Sequence, residues 1–315
     1  MGNPPARDRT DGRLTMDEYT LGVLTNIGLF SLLALSAYLL LVAGELSFGQ
    51  QAFFGVGAYA GGIATAMWGL PLPVAMLLAM ALGAVAAWLV GLPTLRLRGL
   101  YFAMATLAAA EMFRILFELF HYQRTVDGEL VGPDGTQGFR GIRWVLEHGI
   151  EQEAFLALVW TLLLLILAAF AWLERSRLGA MVRMVGEDPE LAGVLGVNVA
   201  RVKLAVAAAA GALAGLGGAL YAHHNTYVEP RNFDIMLGVH SLAYALIGGL
   251  GTALGPLLGV ALDIGLLEST RVFQGYRMIV FGGLVAIFLL FRPRGLLDEA
   301  TVAGIARALA RRGAG

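Results

Sequence analysis

The chain has 315 residues, of which 58% are hydrophobic and 14% are charged, and its formal net charge is -1. Soluble domains carry about 25% charged residues, and no charged residue lies between Leu46 and Leu95 here, so a soluble fold is excluded. The small net charge argues against a nucleic-acid partner, and the absence of cysteine excludes disulfides, thiol catalysis and cysteine-bound metal. We therefore expect an all-α, polytopic bundle of transmembrane helices.

Apolar runs of helical length define the expected spans, since a hydrocarbon core about 30 Å thick needs about 20 apolar residues in a helix. The runs lie at residues 21–43, 44–62, 71–91, 100–120, 154–173, 204–225 and 278–291. They predict a membrane domain over residues 21–297, between a polar tail at 1–20 and an amphipathic, basic tail at 298–315. The acid-rich stretch 121–153 is expected at the outer face.

Two shorter apolar pieces, residues 235–250 and 256–267, are joined by the sequence GGLGTALGP. Each has about 15 residues and is marginal for a full crossing. Short membrane helices interrupted by glycine usually line a pathway, because exposed backbone is tolerated only against protein or water. If every piece crosses there are nine spans and the N-terminus is outside; if one is re-entrant there are eight and it is inside. GxxxG spacing predicts close helix packing at Gly57/Gly61, Gly211/Gly215 and Gly251/Gly255/Gly259.

The longest polar segment of the second half, residues 174–203, lies between two spans. Its basic residues are Arg175, Arg177, Arg183, Arg201 and Lys203. Basic loops next to membrane spans are retained in the cytoplasm. The segment is therefore expected to be a cytoplasmic loop.

A short helix is predicted within this loop. Asp188 can accept a backbone N–H as an N-cap, Pro189 suits the first helical position, and Glu190 meets the positive end of the helix. Gly196 and Asn198 are expected to end it. Three apolar residues share one face: Leu191, Val194 and Leu195. The helix is either a connector packed on neighbouring loops or a docking helix on which a separate soluble subunit pushes.

Enzymatic motifs are missing from the sequence. A P-loop needs Gly before Lys and Ser or Thr after it, but Lys203 is the only lysine and lies between Val202 and Leu204. Any role driven by ATP therefore needs a partner chain. His223 and His224 are adjacent and cannot share a helix face, and no HExxH is present.

Ionisable residues within or near the spans are functional candidates by default. They are Glu111, Asp263 and Glu268. They could serve a proton- or sodium-coupled carrier. Alternatively, Glu111 pairs with Arg114 one turn away, and the other two lie near a membrane face.

Several polar residues interrupt the apolar spans and either bond helices together or line a polar conduit. They are Ser47, Gln50, Gln51, Tyr59, Tyr101, Thr106, Ser241 and Tyr244. With the glycines of the interrupted piece, Gly248, Gly249 and Gly251, they form the candidate wall of a translocation pathway.

Six segments occur in order between residues 44 and 297: GELSFGQQAFFGVGAYAGG, LPTLRLRGLYFAMATLAAAEMFR, GPDGTQGFRGI, GVLGVNVARVKLAVAAAAGALAGLGGALYA, EPRNFDIMLGVHSLAYALIGGLGTALGPLLG and RPRGLL. The ordered set resembles the LivM-type permeases of ATP-binding-cassette (ABC) importers for branched-chain amino acids. The resemblance implies a multi-pass subunit of the bacterial cytoplasmic (inner) membrane, with no enzymatic site or cofactor of its own.

The same resemblance implies the partners. They are a second homologous permease, two ABC ATPase subunits that hold ATP and Mg, a periplasmic or lipoprotein substrate-binding protein, and membrane lipid. The family's loop that docks on the ATPase maps onto ten residues of the 174–203 segment. These are Glu187, Asp188, Pro189, Glu190, Leu191, Ala192, Gly193, Gly196, Asn198 and Lys203.

Two positions depart from the related families. Relatives usually have Arg-Glu-Asn-Glu where this chain has Gly-Glu-Asp-Pro at 186–189, which removes charged contacts from the docking helix. Leu250 stands where urea-importer permeases often carry arginine, which favours the amino-acid branch. An ABC permease for urea or short-chain amides and an ion-coupled secondary transporter are the alternative readings.

Overall fold

The computed structural model describes residues 18–126, 128–268, 277–291 and 295–296. Its helices are α1 (Glu18–Val42), α2 (Gln50–Gly62), α3 (Leu72–Thr94), α4 (Leu100–Leu119), α5 (Trp144–Glu147), α6 (Gln152–Arg175), α7 (Arg177–Glu187), α8 (Pro189–Val194), α9 (Val199–Asn225), α10 (Ile235–Gly248), α11 (Leu254–Val260) and α12 (Arg277–Phe291). Wider turns at Ile63–Met67 and Ala261–Glu268 continue α2 and α11.

Five of these helices are long and apolar enough to cross a membrane: α1, α3, α4, α6 and α9. Shorter apolar helices cover Ile235–Gly248 and Leu254–Gly265. The prediction of a helical, polytopic membrane protein is therefore confirmed. The predicted tail at 298–315 and residues 1–17 of the predicted tail at 1–20 lie outside the described residues, and α1 already begins at Glu18.

Small residues let α9 approach α2 and α3 closely, as membrane helices require when apolar burial gives little driving force. A Cβ added at Gly57 of α2 would overlap the backbone of Gly215 in α9, and one added at Gly83 of α3 would overlap Gly211. The predicted role of the GxxxG spacing in helix packing is thereby confirmed for Gly57/Gly61 and Gly211/Gly215, whereas Gly251 of the third motif lies in a turn before α11. These contacts hold α2, α3 and α9 together as the centre of the bundle.

The segment 174–203 is more helical than predicted. Helix α7 was not predicted at all; it begins after Ser176, whose Oγ accepts the backbone N–H of Gly179 at 3.2 Å. Asn198 does not end α8 but caps α9, because its Oδ1 accepts the N–H of Arg201 at 3.0 Å. Helix α9 thus starts at Val199, five residues before the predicted span.

The predicted span at 44–62 also needs correction. Residues 44–49 are not helical, and α2 starts only at Gln50. Gly44 has a φ of +77°, which side chains other than glycine rarely adopt, and its backbone lies against Gly186 at the end of α7. A non-helical stretch therefore lies between α1 and α2 and contacts the polar segment.

The loop between α4 and α5, predicted at the outer face, forms three strands of a small antiparallel sheet that composition did not predict. The strands are β1 (Arg124–Val126), β2 (Glu129–Pro133), β3 (Phe139–Arg140) and β4 (Tyr227–Val228), in the order β1-β2-β3-β4. Phe139 pairs with Val228, so the loop after α4 is hydrogen-bonded to the chain that follows α9. The sheet closes this end of the bundle.

The two short apolar pieces predicted at 235–250 and 256–267 are helices α10 and α11, and they form an antiparallel hairpin that the sequence did not predict. Gly249 breaks α10 with a φ of +98°. The backbones at Gly248 and Gly255 touch, and further along the hairpin the Tyr244 hydroxyl donates to Asp263 at 2.7 Å. The turn at 249–253 lies at the same end of the bundle as the end of α6, since Ala253 N donates to Glu174.

Candidate functional site

Helix α8 has the local structure that its sequence predicts. The Asp188 side chain accepts the N–H groups of Glu190 at 3.0 Å and Leu191 at 2.9 Å, and Gly196 follows the helix with a φ of +88°. Only Ala192 is buried. Gly193 has open space where a Cβ would be added.

The apolar face of α8 has no cover from the described part of the chain. Leu191, Val194 and Leu195 are 52%, 85% and 65% exposed. Glu190 forms an exposed ion pair with Arg98 at 3.5 Å, which joins α8 to the loop between α3 and α4. Glu187 is the last residue of α7, which precedes α8 in the chain. The arrangement is typical of a surface that another protein covers.

Helix α7 connects α8 to the end of α1. Val182 and Val185 are buried on its inner face. The backbone of Gly186 touches the carbonyl of Val42 and the backbone of Gly44, so no side chain fits between α7 and this turn. Such direct backbone contact fixes the position of α7 relative to the end of α1.

A buried ion pair joins α9 to the stretch between α1 and α2. The Lys203 ammonium contacts the Glu45 carboxylate, and the two side chains are 14% and 5% exposed. Lys203 belongs to the predicted docking loop, whereas Glu45 was not singled out from the sequence. The signal that could have identified Glu45 in the sequence is its position as a single carboxylate where a helix is interrupted.

The Glu174 carboxylate links four elements at the same end of the bundle. Its Oε1 accepts the Tyr38 hydroxyl of α1 and the N–H of Ala253, both at 2.9 Å. The Arg183 guanidinium of α7 lies 4.0 Å from Glu174 and donates to the carbonyl of Gly251 at 3.5 Å. Gly251, predicted in the pathway wall, thus lies in the turn that contacts α6 and α7.

Several predicted pathway residues come together at the start of α2. The Ser36 hydroxyl of α1 donates to Gln50 Oε1 at 3.0 Å, and Thr106 Oγ1 accepts the N–H of Phe48 at 3.2 Å. The Gln51 side chain lies against Gly238 of α10. Two neighbouring hydroxyls bond to nearby backbone, those of Ser47 and Ser241.

Three buried polar atoms in this region have no hydrogen-bond partner among the described residues: Gln50 Nε2, Gln51 Oε1 and Tyr59 OH. Unpaired buried polar groups are costly and rare. They include both a donor and an acceptor, so a passing polar molecule could bond to them. Ser36, Gln50 and Gln51 lie together, and we call them the polar cluster; Tyr59 lies nine residues after Gln50 along α2 and is not part of it.

The remaining predicted pathway residues are dispersed. Tyr59 stacks on Phe117 with ring centroids 4.6 Å apart, and Tyr244 is buried in the hairpin with Gly248 and Gly249. Tyr101 is 73% exposed on α4, away from the polar cluster. The structure therefore does not bring the whole predicted set into one lining.

An open cleft at the other end of the bundle was not predicted from the sequence. It has a volume of about 870 Å³ and is lined in part by Trp68, Arg124, Arg143, Trp144 and His148. The cleft lies between the end of α2 and the sheet. Its residues come from three separate loops, so sequence spacing alone could not assemble it.

Of the other ionisable residues, Glu111 pairs with Arg114 through a hydrogen bond of 2.8 Å. Asp263 is fully buried against Tyr244. His223 is buried and shares a hydrogen bond of 2.9 Å with Thr65. The side chain of Glu268 lies outside the described residues.

Comparison with known proteins agrees with this architecture. The chain is 31% identical over 280 residues to the high-affinity branched-chain amino acid transport system permease protein LivM of Salmonella typhimurium, and 30% identical over 277 residues to LivM of Escherichia coli. Each alignment covers 81% of this chain, and the chain spans only 64% of the length of these LivM proteins.

A permease named LivH from Escherichia coli is 28% identical over 168 residues, covering 51% of this chain and 54% of LivH. No solved structure gives a significant match. The family model described as the permease component of branched-chain amino acid transport systems matches residues 19–290. The chain therefore belongs to this family of multi-pass membrane permeases.

Proposed function

We propose that the chain is the membrane-spanning subunit of an ABC importer that carries branched-chain, hydrophobic amino acids across the bacterial inner membrane. ATP and Mg are held by two separate ATPase subunits, a second permease completes the channel, and a binding protein delivers substrate at the outer face. The observation that carries the proposal is α8, whose exposed apolar face is tied to the transmembrane helices by α7. The LivM and LivH relatives support the substrate and the pairing of permeases.

The geometry supports a specific route by which movement of the ATPase subunits reaches the transmembrane helices. Force on Leu191 and Val194 moves α8, and α7 moves with it as its neighbour in the chain. Gly186 then presses on the end of α1, while Arg183 acts on the turn of the α10–α11 hairpin through Gly251. Both contacts converge on elements that border the polar cluster, so docking and the pathway are mechanically linked.

The polar cluster supports transit rather than tight binding. Gln50 and Gln51 offer one free donor and one free acceptor, enough to replace part of the hydration of an ammonium or carboxylate group. The surroundings are apolar, with Phe54 fully buried next to them on α2. A conduit must bind weakly enough to release its cargo, and two neutral amides satisfy that requirement.

The docking surface is tested by Val194→Asp in the assembled transporter. Burial of a Val or Leu side chain contributes about 1.5–3 kcal/mol, so we expect ATPase affinity to fall by about tenfold or more. Val194 is 85% exposed in the chain itself, so folding should not change. Leu130→Asp, at a 70% exposed position in the outer sheet, is the matched control and should leave ATPase binding intact.

Transport itself is measured in proteoliposomes that contain the complete complex. Uptake of leucine should require ATP, the binding protein and the ATPase subunits. If the chain alone accumulates substrate on a proton or sodium gradient, the proposal is wrong and the ion-coupled carrier is right. If the complex transports urea or short amides but no amino acid, only the substrate assignment is wrong.

A further inference from the structure

Helix α4 differs from the other long helices that leave a face uncovered. Between their first and last turns, α3 and α6 carry no charged residue, and their exposed residues there are apolar except Thr161. Helix α4 instead carries Glu111 and Arg114 between its first and last turns and Glu118 in its last turn, all at partly exposed positions. Their side chains are 35%, 21% and 29% exposed.

The three charges form one cluster along α4. Arg114 donates from Nε to Glu111 at 2.8 Å and also contacts Glu118 one turn away. Two carboxylates share one guanidinium, so the formal charge of the cluster is -1. No contact in the described residues supplies a second cation.

The cluster runs from the middle of α4 at Glu111 to its last turn at Glu118, and the depth of Glu111 makes its contact with lipid unfavourable. Glu111 lies eleven positions after Leu100, which begins the helix. At 1.5 Å per residue this is about 16 Å along a helix about 30 Å long, near the middle of the hydrocarbon core. Charged side chains at that depth face a bundle interior or a water-filled cavity, because exposure to lipid is costly.

The exposed residues of α4 near the cluster include Met104 and Met112 as well as the large apolar Leu116 and Leu119. Methionine is enriched where proteins contact one another, which favours a protein neighbour for this face.

We propose that this face of α4 packs against the second permease subunit, whose surface covers the Glu111–Arg114–Glu118 cluster and donates a hydrogen bond or positive charge to it. The inference rests on the proposed function, since it requires a second permease in the complex. It assigns the interface to one helix face, which neither the family match nor the docking helix specifies.

The interface is tested with single spin labels, for which the cysteine-free chain needs no background mutation. Met104→Cys and Met112→Cys report on α4, at positions 57% and 52% exposed in the chain. Leu164→Cys on α6, 59% exposed, is the matched control. Collision rates with oxygen and with a water-soluble nickel complex are measured in nanodiscs, for the chain alone and for the complete transporter.

In the chain alone, the α4 and α6 labels should meet oxygen equally often. In the complete transporter, the α4 labels should become several-fold less accessible to oxygen while remaining inaccessible to nickel, and the α6 label should not change. If the α4 labels stay accessible to oxygen, this face meets lipid and the inference is wrong. If nickel reaches them, the face lines water and the inference is also wrong.

Assembly provides an independent readout. Glu118→Gln should lower the amount of second permease recovered with the chain several-fold, because the donor from the partner loses a charged acceptor. If the recovery of the second permease is unchanged, the partner does not supply a complementary charge to the cluster. If no second permease copurifies with the wild-type chain, the proposed function fails first; if the complex forms but the α4 labels remain in lipid, only the interface fails.

Discussion

Lys203→Met should destabilise the chain strongly, because it breaks the buried ion pair with Glu45 from one side. Methionine keeps an unbranched apolar stem but removes the ammonium group. The Glu45 side chain is only 5% exposed, so the remaining carboxylate has little access to water. Removing one partner of a buried pair costs about 3–5 kcal/mol, and at about 2 °C per kcal/mol for a large domain the Tm should fall by about 6–10 °C.

The measurement is thermal unfolding of the purified chain in one detergent, followed by intrinsic fluorescence. The exposed pair between Arg98 and Glu190 is the matched control, with side chains 83% and 80% exposed. Arg98→Met should leave the Tm unchanged, because exposed ion pairs contribute little. Lys203→Met should also lower ATP-driven uptake, since the pair anchors α9 to the stretch before α2.

A double variant separates the ion pair from simple loss of packing. Lys203→Met with Glu45→Gln leaves no buried charge without a partner, so most of the lost Tm should return. If the two substitutions instead add, or if Arg98→Met is as damaging as Lys203→Met, burial of charge is not what makes this contact important, and the reasoning is wrong.

Three further tests concern the helix packing, the polar cluster and the contacts of the Glu174 carboxylate. Gly218→Val should abolish folding, because a Cβ there would overlap the carbonyl of Phe54 in α2, whereas Gly193→Ala, in open space, should give a normal yield of monodisperse protein. Gln51→Leu removes an unpaired buried acceptor, so Tm should hold or rise while uptake falls; unchanged uptake would exclude Gln51 from the pathway. Glu174→Ala removes the acceptor shared by α1 and the 249–253 turn and should uncouple ATP hydrolysis from uptake, whereas Glu174→Gln, which keeps an oxygen acceptor, should retain most coupling.

Local sequence chemistry predicted helix α8 well, because the residues that start and end this helix are close together in the sequence. Asp188 caps the helix whose second and third N–H groups it accepts, and Gly196 ends it where a positive φ is needed. The spans at α1, α3, α4 and α6 were also predicted well, since length and apolarity are properties of single segments, whereas the predicted span at 44–62 is helical only from Gln50 and α9 starts five residues early. Asn198 was assigned to the wrong helix because a cap residue between two helices fits either side.

The contacts around the segment 174–203 could not be predicted in this way. Lys203 and Glu45 are 158 positions apart, and Tyr38 and Glu174 are 136 apart. Nothing in the spacing of these residues indicates which carboxylate meets which donor. For the same reason the sequence did not predict the cleft beside Trp68. It also placed Tyr101, a polar residue on an apolar helix, in the pathway wall, although Tyr101 lies away from the polar cluster.

The pairing order of the four-stranded sheet has a consequence for how the protein is made. Strand β3 completes its pairing only when β4 is available, and Val228 lies 89 positions after its partner Phe139. At a synthesis rate of about 5–20 residues per second, β3 waits about 4–18 s with one edge unpaired. During that time α6 and α9 must enter the bilayer, so the ladder between β3 and β4 forms only after the membrane insertion of these two helices.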